Sequence, residues 1–197
     1  MSSSQRDKEE ASKPEWTIRI ATPEDVPALE QLIPLSVRTL QAPYYSKTQM
    51  ELALGPVFGV DRQLILDGTY FVAVAADDIV GCGGWSRRDS IYGSDSARTG
   101  DDGLLDPRRD PARIRAFFVH PEWARRGIGR AILERCEEAI VSAGFGKAVM
   151  VATLAGVPLY LRFGYREDER IEIGLSEGVT IAGVRMSKRF ASASCPS

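Results

Sequence analysis

The sequence predicts a single α/β domain built on a mixed, mostly antiparallel central sheet with helices on both faces. The chain has 197 residues, of which 44% are hydrophobic and 26% are charged, as expected for one folded domain. Short runs with strand periodicity alternate with runs of helical periodicity in the order β α α β β β α β α β β. No internal repeat interrupts this order, which is typical of a sheet covered by helices.

The net charge and the cysteines exclude several classes of function. A formal charge of −2 and a pI near 5.6 give no basic surface for nucleic acid. Cys82, Cys136 and Cys195 are odd in number and lack CxxC spacing, so neither a disulfide framework nor a zinc site is predicted. No apolar run resembles a signal peptide or reaches the ~18 residues of a membrane span. We expect a cytoplasmic protein that binds no nucleic acid, membrane or metal.

The two ends of the chain frame a domain at residues 15–190. Residues 1–14 are predicted to be a disordered tail, and residues 191–197 a second tail, because both are polar, small or proline-bearing. The domain opens with a strand, since residues 16–22 alternate polar and apolar side chains. A helix follows, with Thr22 as its N-cap and a proline at its first position.

A short helix and an antiparallel meander are predicted next. Residues 46–54 form the helix, which a Gly-Pro pair ends. Three strands rich in β-branched and aromatic residues follow, at residues 69–75, 79–88 and 112–119. The long loop at residues 89–111 is too rich in Gly, Asp, Ser and Pro for regular structure. Loops of this length often serve as lids or binding loops.

The C-terminal half predicts two more helices and three more strands. The first helix starts near Ile128, and its apolar residues recur at helical spacing: Ile128, Ile132, Leu133, Cys136, Ala139 and Ile140. Residues 147–153 form a strand, and the segment GVPLYLRFG then forms a short helix stopped by Gly164. Residues 165–174 and 179–190 are predicted to close the sheet as a strand pair.

The segment WARRGIGR, residues 123–130, joins a strand to a helix. Its glycines at 127 and 129 allow a tight turn, and the free N–H groups of the first helical turn favour an anion. The nearby arginines would add charge-assisted hydrogen bonds. The same pattern also occurs as an ordinary turn, so both interpretations stay open from these residues alone. Neither a P-loop nor a dinucleotide fingerprint is present, which argues against nucleotide hydrolysis.

A second motif favours the anion site. The segment PLYLRFGY places Tyr160 four residues before Gly164, on a short helix that follows a strand. Together with the RRGIGR loop, Ile114 to Tyr165 resembles the GNAT acyl-CoA N-acyltransferase superfamily. Members of that superfamily carry a (Q/R)xxGxG/A loop and a YxxxGF/Y helix on the same order of elements. The resemblance covers most of the ordered chain.

The resemblance implies acetyl-CoA as co-substrate and a sheet splayed at the cofactor site. It implies that the pyrophosphate is bound by the backbone of Arg125, Arg126, Gly127, Ile128, Gly129 and Arg130. It implies that pantetheine and the acetyl carbonyl bind the strand end, at Phe117, Phe118 and Val119. Thr153 stands where an asparagine is often found, seven residues before the tyrosine, and would offer its hydroxyl to the pantetheine or to a water. Ala124 stands where Gln or Arg is usual, although a shifted register beginning at Arg126 satisfies the loop pattern.

The catalytic groups are only partly specified. By resemblance, Tyr160 is the general acid that protonates the leaving thiolate, and the alternative is a core aromatic residue. The usual glutamate positions hold Arg113 and Ala148, so a water relay or an amine with enough neutral fraction is expected instead of a protein base. His120, the only histidine, is interpreted as a turn residue at the strand end rather than as the base.

The acceptor side is the least specified part. In this architecture its usual lining would include Arg38, Tyr44, Tyr45, Trp85, Ser86 and Arg87. Arginine and tyrosine would suit an acceptor with a carboxylate or phosphate near its amine. Alternatively, the tyrosines pack the helix loop and the arginines are solvated.

The leading hypothesis is an enzyme that transfers acetyl from acetyl-CoA to a primary amine of a small molecule. A peptide or protein amine is the nearest variant. A CoA-binding sensor without turnover is the alternative from another class, and a fold without any ligand is the third. The oligomeric state is open, with a homodimer among the possibilities.

Overall fold

The computed structural model of the protein describes residues 15–89 and 103–191. Both predicted tails, apart from Ala191, and residues 90–102 of the predicted long loop lie outside these ranges. The described residues form one seven-stranded sheet. Its strands are β1 Thr17–Ile20, β2 Tyr70–Ala75, β3 Asp78–Ser86, β4 Ala112–Val119, β5 Lys147–Ala152, β6 Arg166–Gly174 and β7 Thr180–Arg189.

The strand order across the sheet is β1-β2-β3-β4-β5-β7-β6. Every neighbouring pair is antiparallel except β4 and β5, which run parallel. The parallel pair is the point where the chain crosses the sheet through a helix instead of a hairpin. The mixed, mostly antiparallel sheet predicted from the sequence is therefore confirmed.

Five α-helices cover the two faces of the sheet. They are α1 Val26–Leu40, α2 Lys47–Ala53, α3 Arg62–Leu66, α4 Ile128–Ser142 and α5 Val157–Arg162. A core cluster with α4 residues fills one face, and a second cluster with residues of α1 to α3 fills the other. This arrangement confirms that helices lie on both faces. Among the described residues, no helix combines the length and apolar character needed to cross a membrane.

Two helical features differ from the sequence prediction. The sequence did not predict α3, because five residues are too few to show a helical period. Asp61 caps this helix by accepting a hydrogen bond from the Leu64 N–H at 3.2 Å. The helix predicted after Thr22 begins as a 3-10 turn at Pro23–Asp25, and α1 follows from Val26 through Pro34 to Leu40. Its buried stripe continues on both sides of Pro34, so packing compensates for the lost hydrogen bond.

The helix α4 forms as predicted, because its apolar stripe meets the sheet. Five of the six periodic residues are buried, namely Ile128, Ile132, Leu133, Cys136 and Ile140. Its N-cap is Gly127, whose φ of +86° lies in the left-handed region. A residue with a side chain adopts that region at a cost, so the glycine sets the direction in which the helix starts.

The strand β4 carries a bulge at its centre. Arg115 pairs with Gly84 and Phe118 with Cys82, so Gly83 alone faces Ala116 and Phe117. Ala116 has a φ of +60°, which is uncommon for a residue other than glycine. Bulges bend a strand and increase its twist, and this one turns the end of β4 away from its neighbour.

The bulge separates β4 from β5 over most of their length. Only two residue pairs join these strands, Ala112 with Ala148 and Arg113 with Val149. Beyond these pairs β4 continues to Val119 and β5 to Ala152, and the two strands do not pair with each other there. The sheet is therefore splayed between β4 and β5, as the resemblance implied.

Candidate active site

A cleft occupies the opening between β4 and β5. It encloses about 780 Å³ of space, its open mouth included. Four segments provide most of its walls: residues 114–118 of β4, residues 150–153 at the end of β5, residues 57–59 before α3, and residues 181–183 of β7. Tyr45, Tyr160 and Ile173 complete the lining. The missing strand pairing is thus the physical origin of the cleft.

The N-terminus of α4 lies beside this cleft. The first N–H that bonds within the helix is that of Ala131, to the Gly127 carbonyl at 3.0 Å. The N–H groups of Ile128, Gly129 and Arg130 precede it and have no carbonyl one turn back. A Cβ built on Gly129 would lie 4.0 Å from the Val119 side chain, so this helix start adjoins the end of β4.

The loop before α4 is shaped to receive an anion. Arg125 and Gly127 both adopt positive φ values, +66° and +86°, which turns the chain sharply into the helix. A Cβ on Gly127 would meet nothing within 4 Å, so space is open above the helix start. The helix dipole and the free N–H groups favour a phosphate at this place. These residues therefore fit the pyrophosphate of acetyl-CoA.

The three predicted arginines surround the same helix start on exposed side chains. Arg126 donates to Glu15 at 2.5 Å and stacks over the Trp123 ring at 4.8 Å. Arg130 donates to Glu134 at 2.9 Å. Exposed ion pairs of this kind contribute little to stability, so the guanidinium groups can exchange partners for a phosphate at small cost.

The residues at the end of β4 face different sides of the sheet. The Phe117 ring lies on Gly83, where an added Cβ would come within 2.7 Å of the ring. Phe118 packs edge-on against Phe58 on the other face, with centroids 6.2 Å apart. The Val119 N–H donates to the Ser36 hydroxyl at 3.3 Å. The structure therefore brings Phe117 and Phe118 into the cleft lining and Val119 next to the α4 start.

Tyr160 projects from α5 into the cleft. Its ring packs edge-on against Phe117 and Tyr165, with centroids 6.1 and 5.8 Å apart. Burial raises the pKa of Tyr160 well above that of a free phenol, and Cys136 adds to the effect. The hydroxyl therefore stays protonated at neutral pH. It donates no hydrogen bond to any residue of the described ranges. The Tyr160 ring is part of the core and also lines the cleft, and its role as the general acid stays a prediction.

Thr153 and Tyr45 hold the far end of the cleft in place. The Thr153 hydroxyl oxygen accepts the Gly156 N–H at 3.3 Å and so caps the turn before α5. Tyr45 donates to the Ala182 carbonyl and accepts the Leu154 N–H, both at 2.8 Å. Tyr45 thereby joins β7 to the end of β5, beyond the last pair between these strands.

The structure does not bring the other predicted acceptor residues to the cleft. Arg38 is exposed and forms a bidentate pair with Glu51, and Tyr44 is also exposed. Trp85 is buried on the α4 face against Phe145. Arg87 donates to the Asp67 carbonyl at 3.4 Å, and the Ser86 hydroxyl accepts the Arg88 N–H. Of that set, only Tyr45 lines the cleft.

A charged residue that the sequence did not single out lines the cleft instead. Arg115 of β4 is buried and forms an ion pair with Asp61, the buried cap of α3. The pairing joins residues 54 positions apart, so neither residue type nor spacing indicated it. The only sequence signal was a charged residue at alternate positions of an otherwise apolar strand.

No carboxylate lines the cleft within the described ranges. Arg113, at one usual glutamate position, lies where β4 and β5 still pair and donates to Asp89 at 2.7 Å. Ala148, at the other, is buried in the core of the α4 face. His120 caps the turn after β4, its Nδ1 accepting the Glu122 N–H at 3.3 Å.

Metal ligation finds no support in the described part of the chain. No group of three or more His, Cys, Asp or Glu side chains there is arranged to hold an ion. Cys82 and Cys136 are both buried and free. Burial raises the pKa of the Cys82 thiol to about 12, so it is not a thiolate near neutral pH.

Comparison with known families identifies one domain type. The sequence profile described as an acetyltransferase (GNAT) domain matches residues 66–167, just over half of the chain. This range begins at the end of α3 and includes β4, the α4 start and the Tyr160 helix. Among curated proteins, none matches the chain significantly.

Solved structures share the fold at low sequence identity. A GCN5-related N-acetyltransferase from Rhodopseudomonas palustris has 20% identity and a TM-score of 0.65, covering 88% of this chain and 95% of its own. The PaiA N-acetyltransferase from Thermoplasma acidophilum, solved with coenzyme A, has 14% identity and a TM-score of 0.63, covering 89% and 99%. A ribosomal-protein-alanine N-acetyltransferase from Brucella melitensis has 17% identity and a TM-score of 0.60, covering 88% and 99%.

Proposed function

The chain belongs to the GNAT acetyltransferase family, and we propose that it acetylates the primary amine of a small molecule by direct attack on the thioester. Family membership makes it an acetyl-CoA-dependent N-acetyltransferase. The identity of the acceptor and the roles of individual residues are the proposed part.

A single observation carries the proposal. The open N-terminus of α4, the unpaired ends of β4 and β5, and the protonated Tyr160 hydroxyl meet at one cleft. An acyl transfer needs an anion cradle for the cofactor, a slot for the thioester and a proton donor for the leaving group. The proximity of these three features to one another is what supports the proposal.

Acetyl-CoA supplies an acetyl group activated as a thioester. The N–H groups of Ile128, Gly129 and Arg130 would bind its pyrophosphate, with Arg125 and Arg126 beside them. The edge of β4 that faces β5, at Phe117 to Val119, would bind the pantetheine arm through backbone groups, and the Val119 N–H would exchange the Ser36 hydroxyl for it. Thr153 still has a hydroxyl hydrogen to donate, because its oxygen acts as acceptor towards Gly156.

Tyr160 acts as the proton donor in this proposal. The acceptor nitrogen forms the new C–N bond with its lone pair while the C–S bond breaks. The thiolate takes the Tyr160 proton, the nitrogen releases one proton to water, and solvent restores the phenol. The raised pKa keeps the phenol protonated until the thiolate forms, and the same apolar surroundings raise the basicity of that thiolate, so that it can take the proton.

Acceptor size is tested by assay. Release of the CoA thiol would be measured with a panel of small primary amines and with peptides that carry free N-terminal amines. We expect amine-dependent release from small amines at higher kcat/KM than from peptides. Preference for peptides would replace the small-molecule acceptor with a protein amine, the acceptor class for which the similar Brucella melitensis protein is named.

The absence of a carboxylate from the described cleft lining favours a second candidate, a CoA-binding module without turnover. The Tyr160 hydroxyl, which forms no hydrogen bond with a described residue, argues against such a module, because a sensor needs no proton donor at the thioester. Calorimetry with CoA together with the thiol assay separates the two. Tight CoA binding without thiol release from any amine or peptide would favour the module.

A further inference from the structure

The side chains that line the cleft come from both faces of the sheet. Tyr160, Phe117 and Met150 belong to the apolar core on the α4 face. Phe58 and Ile181 belong to the core on the face of α1 to α3. Because the anion cradle lies at the α4 start, the cofactor reaches the cleft from the α4 face. The opposite end is left for the acceptor.

The acceptor end is lined by apolar side chains. Val57, Phe58, Ile173 and Ile181 provide its walls, and Gly59 and Gly183 expose backbone between them. Its polar side chains are already engaged. Tyr45 uses its hydroxyl both as donor and as acceptor, and Arg115 is paired with the buried Asp61.

We propose that the acceptor is a primary amine carried on an apolar body, an alkyl or aryl group that lies against Val57, Phe58, Ile173 and Ile181. This inference rests on the proposed function, since it concerns the acceptor of that reaction. An acceptor carboxylate or phosphate would have to displace Asp61 from Arg115 inside a buried site, which is costly. An alkyl or aryl group gains by leaving water.

The apolar walls also explain how the reaction proceeds without a carboxylate base. Transfer of an ammonium group from water to apolar surroundings disfavours its charged form, so the neutral amine enters preferentially. Within the described residues, the titratable side chains that line this space are Tyr45, Tyr160 and Arg115, and Arg115 is paired with the buried Asp61. Glu172, which is exposed, adds a distant charge that acts on Tyr45. The protonated tyrosines and the balanced ion pair leave desolvation as the dominant influence on the amine.

The test uses isosteric amines of different polarity. Dissociation constants of 3-methylbutylamine and of 3-aminopropanoate are measured on the protein saturated with CoA, and thiol release is measured with acetyl-CoA. We expect the apolar amine to bind at least tenfold more tightly. Along the series from propylamine to hexylamine, kcat/KM should rise about fourfold per methylene that becomes buried.

Two variants locate the effect. Val57→Thr keeps the side-chain shape but places a hydroxyl in the acceptor wall. Ile181→Thr places a hydroxyl at a fully buried position and also removes the terminal methyl group. Both should weaken the preference for 3-methylbutylamine about threefold or more, while the KM for acetyl-CoA stays unchanged. Val141→Thr, on the exposed part of α4, is the matched control and should change neither value.

The outcomes separate this inference from the proposed function. Equal or tighter binding of 3-aminopropanoate, or no binding of any alkylamine, would overturn the apolar acceptor. Tight binding of alkylamines without thiol release would support the apolar site and overturn the enzyme reaction. If Ile181→Thr fails to fold, which circular dichroism would show, the half-buried Val57→Thr still decides the point.

Discussion

Tyr160 combines burial with a hydroxyl that no residue in the described ranges engages. Phe117 and Tyr165 fix its ring from two sides, so the hydroxyl position is set by packing. Burial raises its pKa and keeps the phenol protonated across the neutral range. These properties suit a residue that keeps its proton until the departing thiolate forms and then donates the proton to it.

Replacement of Tyr160 by phenylalanine tests this role. The ring and its packing stay, and only the proton donor is lost, so we expect kcat to fall about 10²-fold or more. The KM for acetyl-CoA should change much less, because binding does not depend on the phenolic proton. Steady-state thiol release measures both constants. An unchanged kcat would remove Tyr160 from the mechanism.

Tyr70 acts one step further from the chemistry. Its hydroxyl is fully buried and lies 3.2 Å from the Ala116 carbonyl oxygen and 3.2 Å from the Cys82 sulfur. Burial raises the pKa of Tyr70, so it remains a donor. Ala116 is the left-handed residue of the β4 bulge, and Tyr70 therefore holds the bend that opens the sheet.

Tyr70→Phe should loosen that bend. The Ala116 carbonyl loses a buried donor, at a cost of about 1–3 kcal/mol in folding stability. We expect the KM for acetyl-CoA to rise several-fold, because the edge of β4 moves. Adding Ala116→Gly should recover part of the loss, since glycine adopts a positive φ without strain. Urea unfolding and kinetics of the single and double variants check this, and no recovery would argue that the strain at Ala116 is unimportant.

At the scale of elements, the start of α4 is the part of the site that its own sequence specifies best. The left-handed Gly127 directs the first N–H groups outwards, and the apolar stripe of α4 anchors the helix on the sheet. The free N–H groups and the apolar stripe belong to one segment of the chain, so the short-range sequence pattern predicts both.

Gly127→Glu should abolish CoA binding, and Gly127→Asn provides the control. No neighbour lies within 4 Å of a Cβ at this position, so both side chains fit. Asparagine tolerates the left-handed backbone and is neutral, whereas glutamate places a negative charge beside the pyrophosphate. We expect a loss of binding of at least 10²-fold for the glutamate variant and less than tenfold for asparagine, by calorimetry. Similar affinities would place the pyrophosphate elsewhere.

For the whole molecule, the join between β4 and β5 is the weakest connection in the sheet. Two residue pairs connect the half formed by β1 to β4 with the half formed by β5 to β7. Every other pair of adjacent strands is joined by at least four residue pairs. A ligand that bonds to the edge of β4 and packs against β5 supplies contacts that the strands do not make with each other.

CoA should therefore stabilise both halves together. At a ligand concentration 100 times Kd, binding adds about 2.7 kcal/mol to the free energy of unfolding. Hydrogen exchange should slow at amides of residues 116–119 and also at residues 150–153, on the two sides of the cleft. Protection confined to the α4 start would show that the cofactor does not reach the join.

Much of the fold could be predicted because its signals are local. The strands, the α4 stripe and the two motifs each lie within a few turns of chain, where periodicity and capping act. The helix α3 shows no such local pattern, because it is stabilised by the Asp61 cap and by packing rather than by a helical period of its own. The path of α1 beyond Pro34 likewise depends on the surface that it covers.

The sequence by itself determined the α/β class, because periodicity and capping are local, and its two motifs, by their resemblance to the GNAT superfamily, pointed to the cofactor end of the cleft and to Tyr160 as a candidate donor. Only the tertiary structure decided which side chains line the acceptor end. It left Arg38, Tyr44, Trp85 and Arg87 outside the cleft and brought Arg115 together with Asp61 at its wall. The physical reason is that this wall forms where segments distant in sequence meet, and their contacts depend on strand order and on the bulge in β4.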